Sequence, residues 1–79
     1  MATKFTMPKF GETMEEGTII KWNKRVGDIV KEGDILVEVD TDKTTLEVES
    51  TMSGILLEIL VETGETVPVN APIAIIEQG

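Results

Sequence analysis

The chain contains no cysteine and no histidine. A disulfide is therefore excluded, as are the common zinc sites and the usual catalytic pairs of a nucleophile with a base. A chain of 79 residues buries only about 60% of its unfolded surface, so its margin of stability is small. With 41% hydrophobic residues it has enough aliphatic side chains to form a compact core. We expect one small domain without a catalytic site or a metal site of its own.

Basic residues are absent from the second half of the sequence. All seven lie at or before Lys43, whereas residues 44–79 contain six glutamates, and the net charge is −8. Nucleic-acid binding depends on Lys and Arg neutralising phosphates, and membrane-surface contacts depend on polybasic clusters. We therefore expect neither kind of partner, but an acidic surface that suits a basic protein partner.

Long apolar runs are also missing. No segment approaches the roughly 20 residues that span a bilayer, and the first ten residues contain no stretch of signal-peptide length. The lack of cysteine fits a reducing compartment. We expect a soluble protein of the bacterial cytoplasm, or of the mitochondrial matrix if the source is eukaryotic.

No segment keeps a helical spacing over two turns, because glycines interrupt each attempt. Short β-branched runs bounded by Gly and Pro predict a small all-β sandwich or barrel. The clearest alternation places Leu46 and Val48 inward and Glu47 and Glu49 outward. The predicted strands are Phe5–Met7, Thr18–Trp22, Ile35–Val39, Thr44–Glu49, Ile55–Leu60 and Ile73–Ile76.

An internal repeat divides the sequence into two halves. Residues 17–40, GTIIKWNKRVGDIVKEGDILVEVD, align without a gap on residues 54–77, GILLEILVETGETVPVNAPIAIIE. Gly17 meets Gly54 and Gly27 meets Gly64, and aliphatic residues recur at core positions. Such a duplication predicts two halves that face each other about a pseudo-two-fold axis, with Gly27 and Gly64 in turns that require a positive φ.

Lys43 lies between the repeat units, in the sequence VDTDKTTLEVES of residues 39–50. The aspartates at this point favour a tight turn, because an Asp side chain can bond its own backbone two residues on. The pattern predicts an exposed lysine at a hairpin tip with a rigid strand on each side, which is where function often lies. A merely solvated lysine fits the same pattern.

Other polar groups have simpler explanations. Glu47 and Glu49 lie on a solvated strand face, and Ser50 and Ser53 have no base to activate them. Trp22 aligns with an isoleucine in the repeat, which favours a packing role. Residues 9–16 form an early loop with two apolar side chains that could either contact a partner or fold onto the barrel. From the residues alone we expect a carrier or interaction module and not a catalyst.

The segment VDTDKTTLEVES strongly resembles the lipoyl-lysine motif of the lipoyl domains of 2-oxo acid dehydrogenase complexes. The segment MPKFGETMEEG of residues 7–17 resembles the opening of the same family, and Trp22, Gly27 and Gly33 fall at family positions. The resemblance covers essentially the whole chain. It departs at Thr44, where alanine is commonest. It implies a flattened β-barrel of two four-stranded antiparallel sheets with quasi-two-fold symmetry.

The resemblance also implies a function. Lys43 would carry lipoic acid in amide linkage, with Asp42 and Thr44 presenting the lysine and Glu12 and Thr13 as secondary partner contacts. The implied partners are a thiamine-diphosphate-dependent 2-oxo acid dehydrogenase (E1), an acyltransferase core, dihydrolipoamide dehydrogenase (E3), and a lipoate–protein ligase or lipoyl transferase. The reactive sulfurs belong to the cofactor, so the absence of Cys and His is no obstacle.

Two other interpretations of the function remain. A biotinyl carrier domain shares the fold, but its motif has methionines on both sides of the lysine, where this chain has Asp42 and Thr44. An unmodified β-sandwich that only binds a partner would leave Lys43 inert. The opening segment favours a complex of the pyruvate or acetoin type. We expect residues 1–79 to be a monomeric domain excised from a longer multidomain acyltransferase.

Overall fold

The computed structural model describes residues 1–78, which fold into β-strands joined by turns. The all-β prediction is confirmed. Two short strands were not predicted, because runs of two and three residues are too short to show an alternating pattern. The strands are Ala2–Thr6 (β1), Glu16–Trp22 (β2), Ile29–Val30 (β3), Ile35–Asp40 (β4), Thr45–Glu49 (β5), Gly54–Ile59 (β6), Thr66–Pro68 (β7) and Pro72–Glu77 (β8). In this part of the chain no helix is long and apolar enough to cross a membrane.

The strands form two four-stranded antiparallel sheets, as the resemblance implied. One sheet has the order β1-β8-β6-β3 and the other the order β5-β4-β2-β7. Their inner faces enclose a core of aliphatic and methionine side chains, with one phenylalanine. Ten of the larger side chains have lost nearly all contact with solvent: Met7, Ile19, Leu36, Leu56, Ile73, Ile76, Val30, Val37, Val39 and Val48.

The repeat predicted from the sequence is a structural repeat. Gly27 and Gly64 both have positive φ, 97° and 95°, as expected. Their amides make equivalent hydrogen bonds: Gly27 donates to the Leu56 carbonyl and Gly64 to the Ile19 carbonyl, each at 2.7 Å. Asn70, which aligns with Gly33, also has positive φ (75°). Asparagine is among the few residues other than glycine that tolerate this conformation. The same turn therefore forms in both halves, although an asparagine replaces the glycine in the second half.

The two halves also exchange strands. Strand β3 of the first half pairs with β6 of the second, and β7 of the second half pairs with β2 of the first. Each sheet therefore contains a strand from the other half, so neither half can complete its hydrogen bonding alone. The sequence predicted two facing halves, and the structure shows that they interlock.

The Lys43 turn and the chain termini lie at opposite ends of the barrel. Strand β2 begins beside Asp40 at the Lys43 end, whereas β6 begins beside Glu77 at the end that holds the termini. The two strands run toward each other, and their last residues, Trp22 and Ile59, line a common cleft. Trp22 is partly buried against the core and its indole N–H donates to the Val61 carbonyl at 3.0 Å, which confirms its packing role.

Asp34 gives the fold a dependence on acid pH. The Lys31 backbone amide donates a hydrogen bond to the Asp34 carboxylate at 2.9 Å, and the Lys24 ammonium lies 3.2 Å from it. Both contacts lower the pKa of Asp34, and the hydrogen bond from the Lys31 amide has the larger effect. A depressed pKa contributes stability above the ordinary carboxyl pKa, and that contribution is lost as pH falls through the lowered value. We expect Asp34→Asn to reduce the loss of stability below about pH 4 in urea titrations.

Lys24→Gln provides the matched control for this prediction. It removes the ion pair but keeps the stronger amide hydrogen bond, so it should reduce the acid dependence less than Asp34→Asn does. Equal acid dependence in the Asp34→Asn variant and the original chain would contradict the assignment.

Candidate functional site: the Lys43 hairpin

Lys43 lies at the tip of the hairpin that joins β4 to β5. The strands remain paired up to Asp40 and Thr45, and Asp42 and Lys43 occupy the two central positions of the turn. Neither central residue has a positive φ, so the turn needs no glycine. The base of the hairpin is fixed, since Val39 and Val48 are fully buried in the core. The lysine is thus presented on a rigid support, as the sequence predicted.

The turn is held by Thr41 and not by an aspartate. The Thr41 hydroxyl donates to the Thr44 carbonyl at 2.8 Å and accepts the amides of Lys43 and Thr44 at 3.3 and 3.2 Å. The Thr41 amide closes the turn by donating to the same carbonyl at 2.9 Å. The expectation that an Asp side chain makes these bonds was wrong, although Ser and Thr hydroxyls are known to form such turns. This is the site residue that the sequence reasoning missed.

The Lys43 ammonium is solvent-exposed and makes no ion pair or hydrogen bond to any group within residues 1–78. Lys24, by contrast, is held by Asp34 and also donates to the Ile29 carbonyl at 3.4 Å. A free ammonium on a flexible stem can enter another protein's active site without first breaking a contact. Lys43 therefore has both the position and the freedom that a modified lysine requires.

The loop of residues 9–16 lies against the hairpin. A cleft of about 350 Å³ separates them and is lined on one side by Glu12 and Thr13 and on the other by Asp42, Lys43 and Thr44. The structure thus brings all five predicted site residues to one cleft, and each of them is exposed. What Asp42, Thr44, Glu12 and Thr13 do there remains a prediction.

The loop is attached through Met14. Its side chain is buried, and its sulfur lies 3.2 Å from the Phe10 amide. Phe10 itself remains 43% exposed. Of the two outcomes left open for these side chains, Met14 folds onto the barrel, whereas Phe10 stays accessible. Gly11, with φ of 105°, allows the chain to reverse between them.

Acidic side chains surround the same end of the barrel. A neighbouring cleft of about 460 Å³ is lined by Glu15, Glu16, Asp40 and Asp42. Within residues 1–78 no three such groups are close enough together to hold a metal ion. Amidation of Lys43 would remove its positive charge and leave this end strongly acidic.

Comparisons with known proteins agree with this geometry. A biotin/lipoyl family model, described as "Biotin-requiring enzyme", matches residues 3–76. The solution structure of the lipoyl domain of the 2-oxoglutarate dehydrogenase complex from Azotobacter vinelandii superposes with a TM-score of 0.74 at 31% identity, covering 96% of this chain and 98% of that one. This chain is a lipoyl domain of the biotin/lipoyl family.

Relatives of this chain occur in more than one kind of polypeptide. In Rhizobium meliloti, the acetyltransferase component of the pyruvate dehydrogenase complex is 47% identical over 77 residues, and the pyruvate dehydrogenase E1 component subunit beta is 46% identical over 79. The succinyltransferase component of the 2-oxoglutarate dehydrogenase complex of Bartonella vinsonii is 43% identical over 79 residues. These matches cover 96 to 100% of this lipoyl domain but only 17 to 19% of the relatives.

Proposed function

We propose that Lys43 carries lipoate as an amide and that the domain acts as a swinging-arm acyl carrier in a 2-oxo acid dehydrogenase complex. The observation that carries the proposal is an unpaired lysine at the tip of a rigid hairpin in a lipoyl domain. Lipoate on Lys43 would supply a disulfide able to accept an acyl group and two electrons from a thiamine-diphosphate-dependent dehydrogenase; the acyl group would go to coenzyme A at an acyltransferase and the electrons to dihydrolipoamide dehydrogenase.

The residues of this chain provide position and recognition and no bond-breaking chemistry. The buried base of the hairpin holds the lysine stem at the end of the barrel opposite the termini. A tether attached at the termini would therefore leave Lys43 facing outward, and tethering raises its effective concentration at each partner. Asp42 and Thr44 present the lysine to the ligase, and Glu12 and Thr13, on the other wall of the cleft, are secondary contacts for partners.

We propose that the domain serves a dehydrogenase complex of the pyruvate or acetoin type, because residues 7–17 resemble the opening segment of lipoyl domains from such complexes. Relatives from pyruvate and 2-oxoglutarate complexes have similar identity, so acylation must be tested directly. Purified pyruvate, acetoin and 2-oxoglutarate dehydrogenases, each supplied with its own substrate, would be compared for the rate of acylation of the lipoylated domain. Fastest acylation by the 2-oxoglutarate enzyme would contradict the assignment.

The parent protein that we propose is a dihydrolipoamide acyltransferase, working in the bacterial cytoplasm or the mitochondrial matrix. A second candidate parent is a dehydrogenase β subunit, because one such relative is 46% identical over 79 residues. The domain would serve as the same carrier in either parent. The two differ in what is tethered to it, an acyltransferase or a decarboxylase.

The decisive experiment is intact mass after incubation with lipoate–protein ligase, ATP and lipoate, followed by peptide mapping. We expect a single lipoyl adduct on Lys43 and none on the other five lysines. Biotin protein ligase with biotin serves as the comparison and should give little product, because Asp42 and Thr44 stand where the biotinyl motif has methionines. No adduct on folded protein, or a biotin adduct instead, would contradict the proposal.

Thr41 supplies a sharper test of the turn. Thr41→Val keeps the shape of the side chain but removes the hydroxyl that contacts Lys43 and Thr44. A hydrogen-bond loss of about 1 kcal/mol corresponds to about a fivefold lower rate constant if the ligase needs the ordered turn. We expect kcat/KM for lipoylation to fall by about that factor in single-turnover mass assays.

Thr41→Ser is the matched control, since it retains the hydroxyl and loses only a methyl group. It should be lipoylated at close to the original rate. A valine variant that is modified as fast as the serine variant would show that the turn hydroxyl does not matter to the ligase.

A further inference from the structure

The cleft between residues 9–16 and the hairpin has Lys43 on its rim and apolar side chains in its walls. Phe10 and Leu46 are both partly accessible there, and Met14 lies beneath them. The cleft has a volume of about 350 Å³ and is open to solvent. Accessible apolar side chains in a cleft that Lys43 also lines are not needed for a lysine that only projects into water.

We propose that this cleft is a resting site for the lipoyl chain carried by the same Lys43. The inference rests on the proposed lipoylation of Lys43. The amide has no charge to keep the end of the arm hydrated, so its pentanoyl chain gains by leaving water for an apolar surface. Phe10 would offer the dithiolane an aromatic surface, and polarizable sulfur packs favourably against aromatic rings. The arm thus alternates between a docked and a free position.

The other clefts near this end fit the lipoyl chain less well. The cleft of about 460 Å³ is lined by Glu15, Glu16, Asp40 and Asp42 and lacks an aromatic wall. The cleft of about 520 Å³ along β1 and β5 is more distant, since Lys43 is not among its lining residues. Because Lys43 itself lines the cleft of about 350 Å³, a chain attached to Lys43 can enter that cleft without crossing the barrel surface.

Two measurements on the isolated domain test the inference without any partner enzyme. The first compares ¹³C-methyl spectra of unmodified and lipoylated protein, with lipoylation verified by mass. We expect the methyl signals of Met14 and Leu46 to shift, while those of Val26, which is 60% exposed and outside this cleft, stay in place. The second is the rate at which a water-soluble phosphine reduces the dithiolane. An arm that is docked nine-tenths of the time would be reduced about tenfold more slowly than free lipoamide.

A variant pair separates docking from general effects of the protein. Phe10→Ser combined with Leu46→Thr removes the accessible apolar walls and should restore the reduction rate of free lipoamide and abolish the shift at Met14. Val26→Ser removes an apolar side chain elsewhere that is more exposed than Phe10, and it should change neither result.

The outcomes distinguish this inference from the proposed function. A Lys43 adduct that leaves the Met14 and Leu46 signals unshifted and is reduced as fast as free lipoamide would overturn the resting site alone. Failure of the folded protein to accept lipoate on Lys43 would overturn the proposed function, and the resting site with it.

Discussion

Exchanging Asp42 and Lys43, so that the lysine moves one position along the same turn, is expected to abolish lipoylation and leave the barrel folded. Adjacent Cα atoms are about 3.8 Å apart, so the exchange moves the attachment point of the ammonium while composition and net charge stay the same. Both side chains are exposed, and neither contributes to the core. A misplacement of about 1 Å can cost about a hundredfold in a positioned reaction, and this exchange moves the amine further.

The measurement is adduct formation by intact mass over a time course, with far-UV circular dichroism and thermal unfolding to verify the fold. Lys43→Arg is the matched control, because it keeps the charge in the original place but offers no amine that a ligase can amidate. Normal lipoylation of the exchanged variant would count against the turn as the recognition element and favour selection by exposure alone.

Gly54→Ala is expected to destabilise the domain more than any exposed substitution. A Cβ at residue 54 would lie 1.9 Å from the Glu77 carbonyl oxygen, which is backbone and cannot rotate away. The Glu77 backbone is itself held between β1 and β6. Overpacking of this kind costs about 3 kcal/mol, and a domain of this size has only about 4 to 12 kcal/mol in total. We expect the midpoint of thermal unfolding to fall by about 12 to 24 °C.

Gly17→Ala is the comparison that the pseudo-symmetry provides. The corresponding Cβ would lie 2.4 Å from Val39 Cγ1, which is a longer approach than the 1.9 Å at Gly54 and is to a side-chain atom, not to backbone. We therefore expect a smaller loss than at Gly54, measured by urea denaturation of both variants under the same conditions. If Gly54→Ala were no more harmful than Gly17→Ala, the close backbone approach of β6 and β8 would not be the cause.

The sequence predicted the regular features of the fold because their signals are local. The paired glycines indicated turns with positive φ, and Gly27 and Gly64 have that conformation. The alternation around Val48 correctly predicted a strand with a buried face. Strands β3 and β7 escaped prediction because they consist of two and three residues and depend on pairing with a distant strand. Such pairing cannot be read from a short run of residues.

The candidate site also contains features that the sequence predicted and features that it did not. The lysine and its turn were found from the motif, but Thr41 was overlooked because either an aspartate or a threonine can close such a turn, and only the backbone geometry selects one. The sequence left two roles open for Met14, contact with a partner or packing onto the barrel. Its burial depends on where the loop lies relative to the barrel.

The sequence by itself determined the all-β class, the duplication and the lysine on which the proposed function rests, since periodicity, glycine spacing and a motif are properties of neighbouring residues. Only the tertiary structure decided that the two halves exchange strands, that Thr41 holds the turn and that a cleft with accessible apolar side chains borders Lys43. At the turn, either a threonine or an aspartate could have made the hydrogen bonds, and only the backbone geometry selects Thr41. The strand exchange and the cleft arise from contacts between residues far apart in the chain. Their formation depends on the close packing of the whole barrel, which no short segment specifies.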